Sequence, residues 1–222
     1  VIMMEEDFTD ATIDYLTQTY QRKECIIWGS LYEKNMIDLE NRLAGICDPG
    51  YTDFHEHEMS FSLKTTGEPD VTLRLRRKFH QDTTATNQWR FKYVGRPEPD
   101  PNCPVIVRKV IDSVAHSHNM MEFVKTLGLR LDYEYIVKGK VWTCGAIKIV
   151  VNSVRKTKIP GKYEVDNLEK LCESYLVELS TTIPDSLEYS SVARQLKSFS
   201  AQLYPLVEMQ KVEYWLKPPG TA

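Results

Sequence analysis

The sequence has no C-x-x-C pair, no excess of basic residues and no long apolar run, and each absence excludes a class of protein. Its five cysteines are scattered over 222 residues, which argues against zinc or dithiol redox motifs and favours a reducing compartment. A formal net charge of −3 offers no general attraction to nucleic acid or anionic membranes. No stretch approaches the roughly 18 apolar residues that a membrane-spanning helix needs.

Several sequence signatures are also missing. There is no P-loop, no G-x-S-x-G and no dinucleotide fingerprint. The first ten residues are acidic and lack the basic-then-apolar order of a secretory signal. We therefore expect a protein of the cytosol or the nucleus.

The composition that remains is typical of a folded domain, with 42% hydrophobic and 27% charged residues. The chain is long enough for one domain or two small ones, and no convincing linker divides it. We predict a single domain over residues 23–217, preceded by an arm or short helix over 1–22 and followed by a disordered tail over 218–222.

Alternating apolar and polar residues predict most of the secondary structure. Eight segments are predicted as strands, from this period of two or from compact apolar and β-branched runs: 25–31, 54–63, 71–79, 89–93, 105–115, 131–143, 146–156 and 175–183. Helical spacing predicts helices over 32–47, 119–127 and 189–203, with Asn119 as a cap and Gly128 as a terminator of the second. Residues 157–170 are expected to form an exposed loop. So many turn-connected strands tend to close on themselves. The predicted fold is mainly β (α+β), an antiparallel β-barrel of about eight strands with flanking helices.

One face of this sheet carries charge on several strands. Its members are Glu56, Glu58, Arg74, Arg76, Arg90, Lys92 and Glu178. This face is either the solvated side of a half-buried sheet or the inside of a closed barrel. Inside a barrel, the acids could hold a divalent metal and the arginines could hold phosphates. Because isolated buried charges are costly, we expect the acids of this face to be paired with its arginines.

The charged face resembles that of the triphosphate tunnel metalloenzymes, a family with an E-x-E-x-K strand, an L-R-[LI]-R strand and a late pair of glutamates. Here Glu56 and Glu58 supply the first pair, and LRLR at 73–76 supplies the arginine strand. Ser60 stands at the lysine position, and Ser180 breaks the second acidic pair with Glu178. Because too few metal ligands remain, we predict no catalytic residues, no metal and no cofactor.

Two other groups of residues could be taken for reactive sites. His55 and His57 form an H-x-H pair, but the sequence offers no third ligand. The cysteines have no evident neighbouring base, so small core or surface residues are the more economical interpretation.

Several segments, in this order, resemble the family of subunit 18 of the Mediator complex, the coactivator that connects transcription factors to RNA polymerase II. They are LENRLAGICD at 39–48, HEMSFSL at 57–63, LRLRR at 73–77, WRFKYVG at 89–95, FVKTLGLRLDYEY at 123–135, VKG at 137–139, LVELS at 176–180 and QLYPLV at 202–207. Each segment alone is weak, and their order and spacing are specific. Residues 1–22 and 157–172 lie outside the clear match.

This resemblance implies a nuclear, non-catalytic subunit with a barrel related to the triphosphate tunnel fold. It implies pairing in the head module with Mediator subunit 20, binding of a C-terminal helix of subunit 8, and indirect contact with RNA polymerase II. Aromatic and apolar anchors are expected at such interfaces, and our candidates are Tyr204, Leu206, Tyr214 and Trp215. Trp28 is better explained by core packing.

Two alternatives stay open from the sequence. The first is a divergent triphosphate tunnel metalloenzyme that hydrolyses tripolyphosphate or nucleoside triphosphates. The second is direct binding of nucleic acid by the basic strands, which the net charge opposes.

Overall fold

The structure is a computed structural model that describes residues 21–63, 71–79, 87–159 and 161–212. The predicted tail over 218–222 and nearly all of the predicted arm over 1–22 lie outside these ranges. The strands are β1 Arg22–Tyr32, β2 Thr52–Leu63, β3 Val71–Lys78, β4 Gln88–Pro97, β5 Ile106–His116, β6 Arg130–Cys144, β7 Ile147–Thr157, β8 Leu168–Lys170 and β9 Ser174–Pro184. The α-helices are α1 Met36–Ile46, α2 Met120–Thr126 and α3 Ser190–Ala201.

Eight of the strands close into an antiparallel barrel. Their order is β6-β2-β3-β4-β5-β1-β9-β7, and β7 pairs with β6 to complete the circle. Closure gives the backbone groups along the barrel wall partners on both sides, which removes the exposed sheet edges of an open sheet. The predicted barrel of about eight strands with flanking helices is confirmed.

The segment 157–170 is more ordered than the sequence predicts. It contains a 3-10 turn at Val165–Asn167 and the short strand β8, which pairs with the end of β7. The Lys158 N–H also donates to the Asn167 carbonyl at 2.9 Å. The described residues of the segment are mostly exposed, as predicted, but the prediction of a loop is wrong at the 3-10 turn and β8, because polar side chains give no sign of these backbone hydrogen bonds.

The apolar cores lie outside the barrel wall, under the helices. One cluster joins α1 and α3 to β1, β7 and β9, and it includes Ile27, Leu39, Leu43, Leu179, Leu196 and Phe199. A second joins α2 to β2, β3 and β4, and it includes Met59, Leu75, Trp89, Met120 and Val124. Because alternate residues of a strand point to opposite faces, the residues between these apolar ones face the barrel interior.

The ends of α2 bear out one prediction and correct another. Gly128 has a φ of 77°, and its N–H donates to Lys125 O while Leu129 N–H donates to Val124 O, which ends the helix as predicted. Asn119 makes no side-chain cap hydrogen bond. Asn119 is nevertheless the N-cap residue, as predicted, and its carbonyl oxygen accepts from Phe123 N–H at 3.0 Å, while its own backbone N–H donates to the Ser117 hydroxyl oxygen at 3.1 Å. The predicted cap position is therefore right, and a cap made by the side chain is wrong. No helix in the described part of the chain is long and apolar enough to cross a bilayer.

Candidate functional site

The strand register brings the predicted charged face together inside the barrel. Glu58 on β2 lies opposite Arg76 on β3, and Arg74 lies opposite Lys92 on β4. Arg76 lies in turn opposite Arg90. Since the opposite faces of these strands pack under α2, the charges point inward. Of the two interpretations of the charged face, the solvated side of a sheet and the inside of a closed barrel, the structure has the second.

Glu58 is the centre of the first charged group. Its side chain is only 3% exposed, and its carboxylate lies 2.5 Å from Arg76 Nη2 and 3.5 Å from Arg74 Nη1. The Tyr135 hydroxyl donates to the same carboxylate at 2.6 Å. Burial alone would raise the pKa of Glu58, but the two guanidinium groups lower it below its ordinary value. Glu58 is therefore a charged, fully engaged acid.

Glu24 is the centre of a second group that the sequence did not reveal. Its carboxylate accepts from Arg108 Nε at 3.0 Å and from Lys92 Nζ at 2.5 Å. Burial would raise the pKa of Glu24, and the charges of Lys92 and Arg108 lower it instead. Glu24 and Arg108 alternate with buried Cys25 and Val107 along their strands, and this parity was the available signal.

Glu178 on β9 faces the first charged group from the other side of the interior. It accepts a hydrogen bond from Trp28 Nε1 at 3.2 Å. Burial disfavours the charged form of Arg74, but Glu58, and more weakly Glu178, raise the pKa of Arg74 above its usual range. Because β9 and β3 stand four strands apart around the circle, this effect acts across the barrel. Trp28, interpreted from sequence as core, instead lines the interior.

Two members of the predicted face stand outside the closely paired charges. Glu56 contacts Arg76 Nε at 3.5 Å, at the edge of the first group. Arg90 is exposed, and no ion pair joins it to another described residue. The barrel interior therefore contains a paired core of charges and a more open margin.

The arrangement lacks the features of a metal centre. Across the described residues, no group of three or more His, Cys, Asp or Glu side chains could hold a metal ion. Ser60 and Ser180, at positions where the tunnel enzymes carry charged groups, are both buried. Glu24, Glu56 and Glu58 are bonded to cations, and Glu178 is bonded to Trp28. These four acids therefore do not form an open cation site.

The two histidines of the H-x-H pair contact other side chains of the protein. Arg77 Nε donates to His57 Nδ1 at 3.4 Å, so the His57 proton lies on Nε2, which faces a Glu134 oxygen at 2.9 Å. Tyr163 donates to the same Glu134 oxygen at 2.8 Å. His55 packs its ring against Phe79. His57 therefore joins the barrel wall to the segment after β7, through Glu134 and Tyr163.

The predicted partner anchors lie beyond α3. Tyr204 is 67% exposed, whereas Leu206 is half-buried against the larger core. Arg42 of α1 donates to the carbonyl oxygen of Tyr204 at 2.7 Å and to that of Gln202 at 3.2 Å. Tyr214 and Trp215 lie outside the described residues.

A pocket of about 500 Å³ opens at one mouth of the barrel. Its wall includes Trp28, Tyr32 and Leu176, together with Glu208 and Val212 from the segment that follows α3. That segment is held by a two-residue bridge, in which Trp28 and Gln210 exchange backbone hydrogen bonds at 3.2 and 2.7 Å. The pocket is mixed in polarity and contains no cluster of catalytic groups.

Comparison with solved structures gives the class of fold. The RNA triphosphatase domain of a mimivirus mRNA capping enzyme aligns with 86% of this chain and 96% of its own, with a TM-score of 0.50 and 8% identity. A chain of the Schizosaccharomyces pombe Mediator head module aligns with 86% of this chain and 98% of its own, with a TM-score of 0.71 and 19% identity. The protein is thus a barrel of the triphosphate tunnel type.

Sequence comparison then gives the family. The model of the Med18 protein family matches residues 23–216. Mediator of RNA polymerase II transcription subunit 18 of Caenorhabditis elegans is 46% identical over 98% of this chain and 94% of its own length. The Caenorhabditis briggsae protein of the same description is 42% identical over 98% of this chain and 94% of its own length. The chain belongs to the Med18 family, which confirms the family resemblance and the interpretation as a subunit that is not an enzyme.

Proposed function

We propose that this protein is a non-catalytic subunit of the Mediator head module, acts in the nucleus and supports transcription by RNA polymerase II. The observation that carries this proposal is the 46% identity, over 98% of the chain, to a Mediator subunit 18. The shared fold with a chain of the fission yeast head module supports it. The pairing of the interior acids Glu58 and Glu24 with arginines adds a physical reason why the barrel would perform no metal-assisted chemistry.

The finer part of the proposal concerns the partners. We assign to this chain two direct partners, Mediator subunit 20, which would pair with it as a second barrel, and a C-terminal helix of subunit 8. Because the central charges of the barrel interior are paired with one another, the outer surface and the barrel mouths are the surfaces that remain for binding these partners. Contact with RNA polymerase II would pass through the rest of the head module.

Tyr204 is the best described anchor for such a partner. Its ring is exposed, while its carbonyl group is fixed to α1 by Arg42. An aromatic side chain on a fixed stretch of backbone has few torsions left to lose when a partner covers it, which is a property of strong interface anchors. Leu206 would support the same surface from below. Tyr214 and Trp215 follow closely in sequence and are proposed as part of it.

Co-expression tests the proposal directly. The full chain is produced with subunit 20 and the C-terminal segment of subunit 8 and passed over a size-exclusion column without nucleotide or metal. We expect the three polypeptides to elute together. Elution of this chain by itself, in folded form, would contradict the proposed partners.

A further inference from the structure

Two half-buried cysteines lie side by side where α1 ends and the β6–β7 hairpin turns. Cys47 directly follows α1, and Cys144 is the last residue of β6. On one side of the pair, the Asp48 N–H donates to the Thr143 carbonyl at 2.8 Å. On the other, the Cys144 thiol donates to the Ile46 carbonyl at 3.4 Å. The first contact joins the neighbours of the two cysteines, and the second joins Cys144 to the residue before Cys47. The two cysteines therefore lie between these contacts.

The direction of the two chains fixes this arrangement. The segment after α1 leads into β2, which runs antiparallel to β6 from the pair Thr52–Val141 onward. Cys144 Sγ lies 3.4 Å from the carbonyl oxygen of Ile46, and that carbonyl group is bonded directly to the nitrogen of Cys47, so the two cysteines are close neighbours. A disulfide requires Cα atoms no more than roughly 7 Å apart, which such a contact allows. Both cysteines also pack against the same outer core, beside Trp142.

The other cysteines in the chain differ from this pair. Cys25 and Cys103 are buried in the core, where a dissolved reagent has no access. Cys172 is exposed, and its thiol contacts Ser174 and no other cysteine. Burial, followed by the neighbouring Cys144, raises the pKa of Cys47 to about 11, so Cys47 carries little thiolate at neutral pH. We therefore expect Cys144 to react first and Cys47 to complete the bond.

We propose that Cys47 and Cys144 form an oxidation-sensitive pair, which a small-molecule disulfide converts into an intramolecular disulfide. The Cys144 thiolate attacks one sulfur of the reagent, forms a mixed disulfide and expels one small thiol. The Cys47 sulfur then attacks the Cys144 sulfur and expels the second small thiol. The cysteines lose two electrons and two protons, and the reagent gains them. The new bond ties the end of α1 to the β6–β7 hairpin.

The experiment uses the full folded chain with Cys172→Ser, which removes the exposed competing thiol. The protein is incubated with glutathione disulfide, alkylated, and digested with trypsin without reduction. Residues 43–64 and 141–148 are the tryptic peptides that carry Cys47 and Cys144, one cysteine each. We expect these two peptides to appear joined, with the mass of two hydrogens missing, and to separate on reduction.

The matched control carries Cys47→Ser in the same background. It should retain a glutathione adduct on Cys144 and show no cross-link. Its thermal unfolding midpoint should not gain from oxidation, whereas that of the parent should rise because the bond closes a long loop. Alkylation of both Cys47 and Cys144 in the oxidised parent, or a cross-link that joins other cysteines, would overturn the proposal.

Discussion

Glu58 on β2 and Arg76 on β3 stand at paired register positions and form a 2.5 Å ion pair inside the barrel. A carboxylate at this place could bind a divalent cation only after release from its arginines. Because Arg74 holds the same carboxylate from a second side, that release would leave two guanidinium groups without their partner. The pair therefore makes the charged face a structural element of the barrel.

The interior carboxylates should contribute to stability in a definite order. Glu24→Gln is expected to cost most, about 3–5 kcal/mol, because Arg108 is only 3% exposed and would be left buried without its counter-charge. Glu58→Gln should cost about 2 kcal/mol, since Arg74 and Arg76 retain part of their hydration. Glu56→Gln, with one 3.5 Å contact, serves as the control and should change little. Urea unfolding measures all three, and equal losses would contradict this ranking.

The chain should release no phosphate from tripolyphosphate or nucleoside triphosphates in the presence of magnesium or manganese. The physical reason is that Glu58 is held by two arginines, while Ser60 stands where the tunnel enzymes have a lysine and Ser180 stands where they have a second late glutamate. The assay compares the parent with Glu58→Ala at equal protein concentration. Turnover by the parent that Glu58→Ala abolishes would revive the hydrolase alternative.

The sequence predicted this face well because period-two alternation directly reports which strand residues share a side. It could not predict the pairing of Glu24 with Arg108, which lie 84 positions apart and meet only because β1 and β5 become neighbours. The sequence could not tell whether Trp28 packs in the apolar core outside the barrel wall or lies inside the barrel. The hydrogen bond from its indole N–H to Glu178 depends on closure of the barrel.

Stability should fall on acidification in two stages. The pKa of His57 is lowered, chiefly by burial and also by Arg77, although Glu134 opposes the shift. The ordinary pKa of histidine is 6.5, so as the pH falls through this value the unfolded chain binds a proton at His57 more readily than the folded protein does. The free energy of unfolding therefore begins to decrease at this pH. The pKa values of Glu24, Glu58 and Glu134 are also lowered, so a steeper loss follows below their ordinary value of 4.5.

The His57→Gln variant separates the two stages. It should flatten the dependence of unfolding free energy on pH near pH 6, while the steeper loss at lower pH remains. The comparison uses the slope, because the variant also loses its contact with Glu134 and starts from a lower stability. An unchanged slope near pH 6 would show that His57 does not cause the first stage.

The Tyr204 surface should respond to truncation of its exposed ring. Tyr204→Ala is expected to weaken association with the subunit 20 and subunit 8 partners by about tenfold or more, as removal of an interface anchor does. Leu187→Ala is the control, because Leu187 is also an exposed apolar residue but lies in the turn after β9. Unfolding midpoints of both variants should match the parent. Equal affinities for all three proteins would remove Tyr204 from the interface.

Two glycine substitutions should change stability in opposite directions. A Cβ on Gly29 would lie 2.6 Å from Val207 Cγ1 and 2.8 Å from Glu208 O, where the segment after α3 packs against β1. Gly29→Ala must therefore displace this segment, at a cost of about 1–3 kcal/mol.

Gly45, near the end of α1, has open space where a Cβ would stand, with nothing within 4 Å of that position. Gly45→Ala should stabilise the fold by about 0.5–1 kcal/mol, because alanine limits the unfolded chain and favours the helix. Urea unfolding of the two variants beside the parent measures both effects. The displaced segment supplies Glu208 and Val212 to the pocket at the barrel mouth. Because its packing against β1 would be loosened, Gly29→Ala should also increase the rate of amide exchange across residues 207–212. Gly45→Ala should leave this rate unchanged. Protection there that is unchanged in Gly29→Ala would mean that the wall absorbs the extra methyl group without moving the segment.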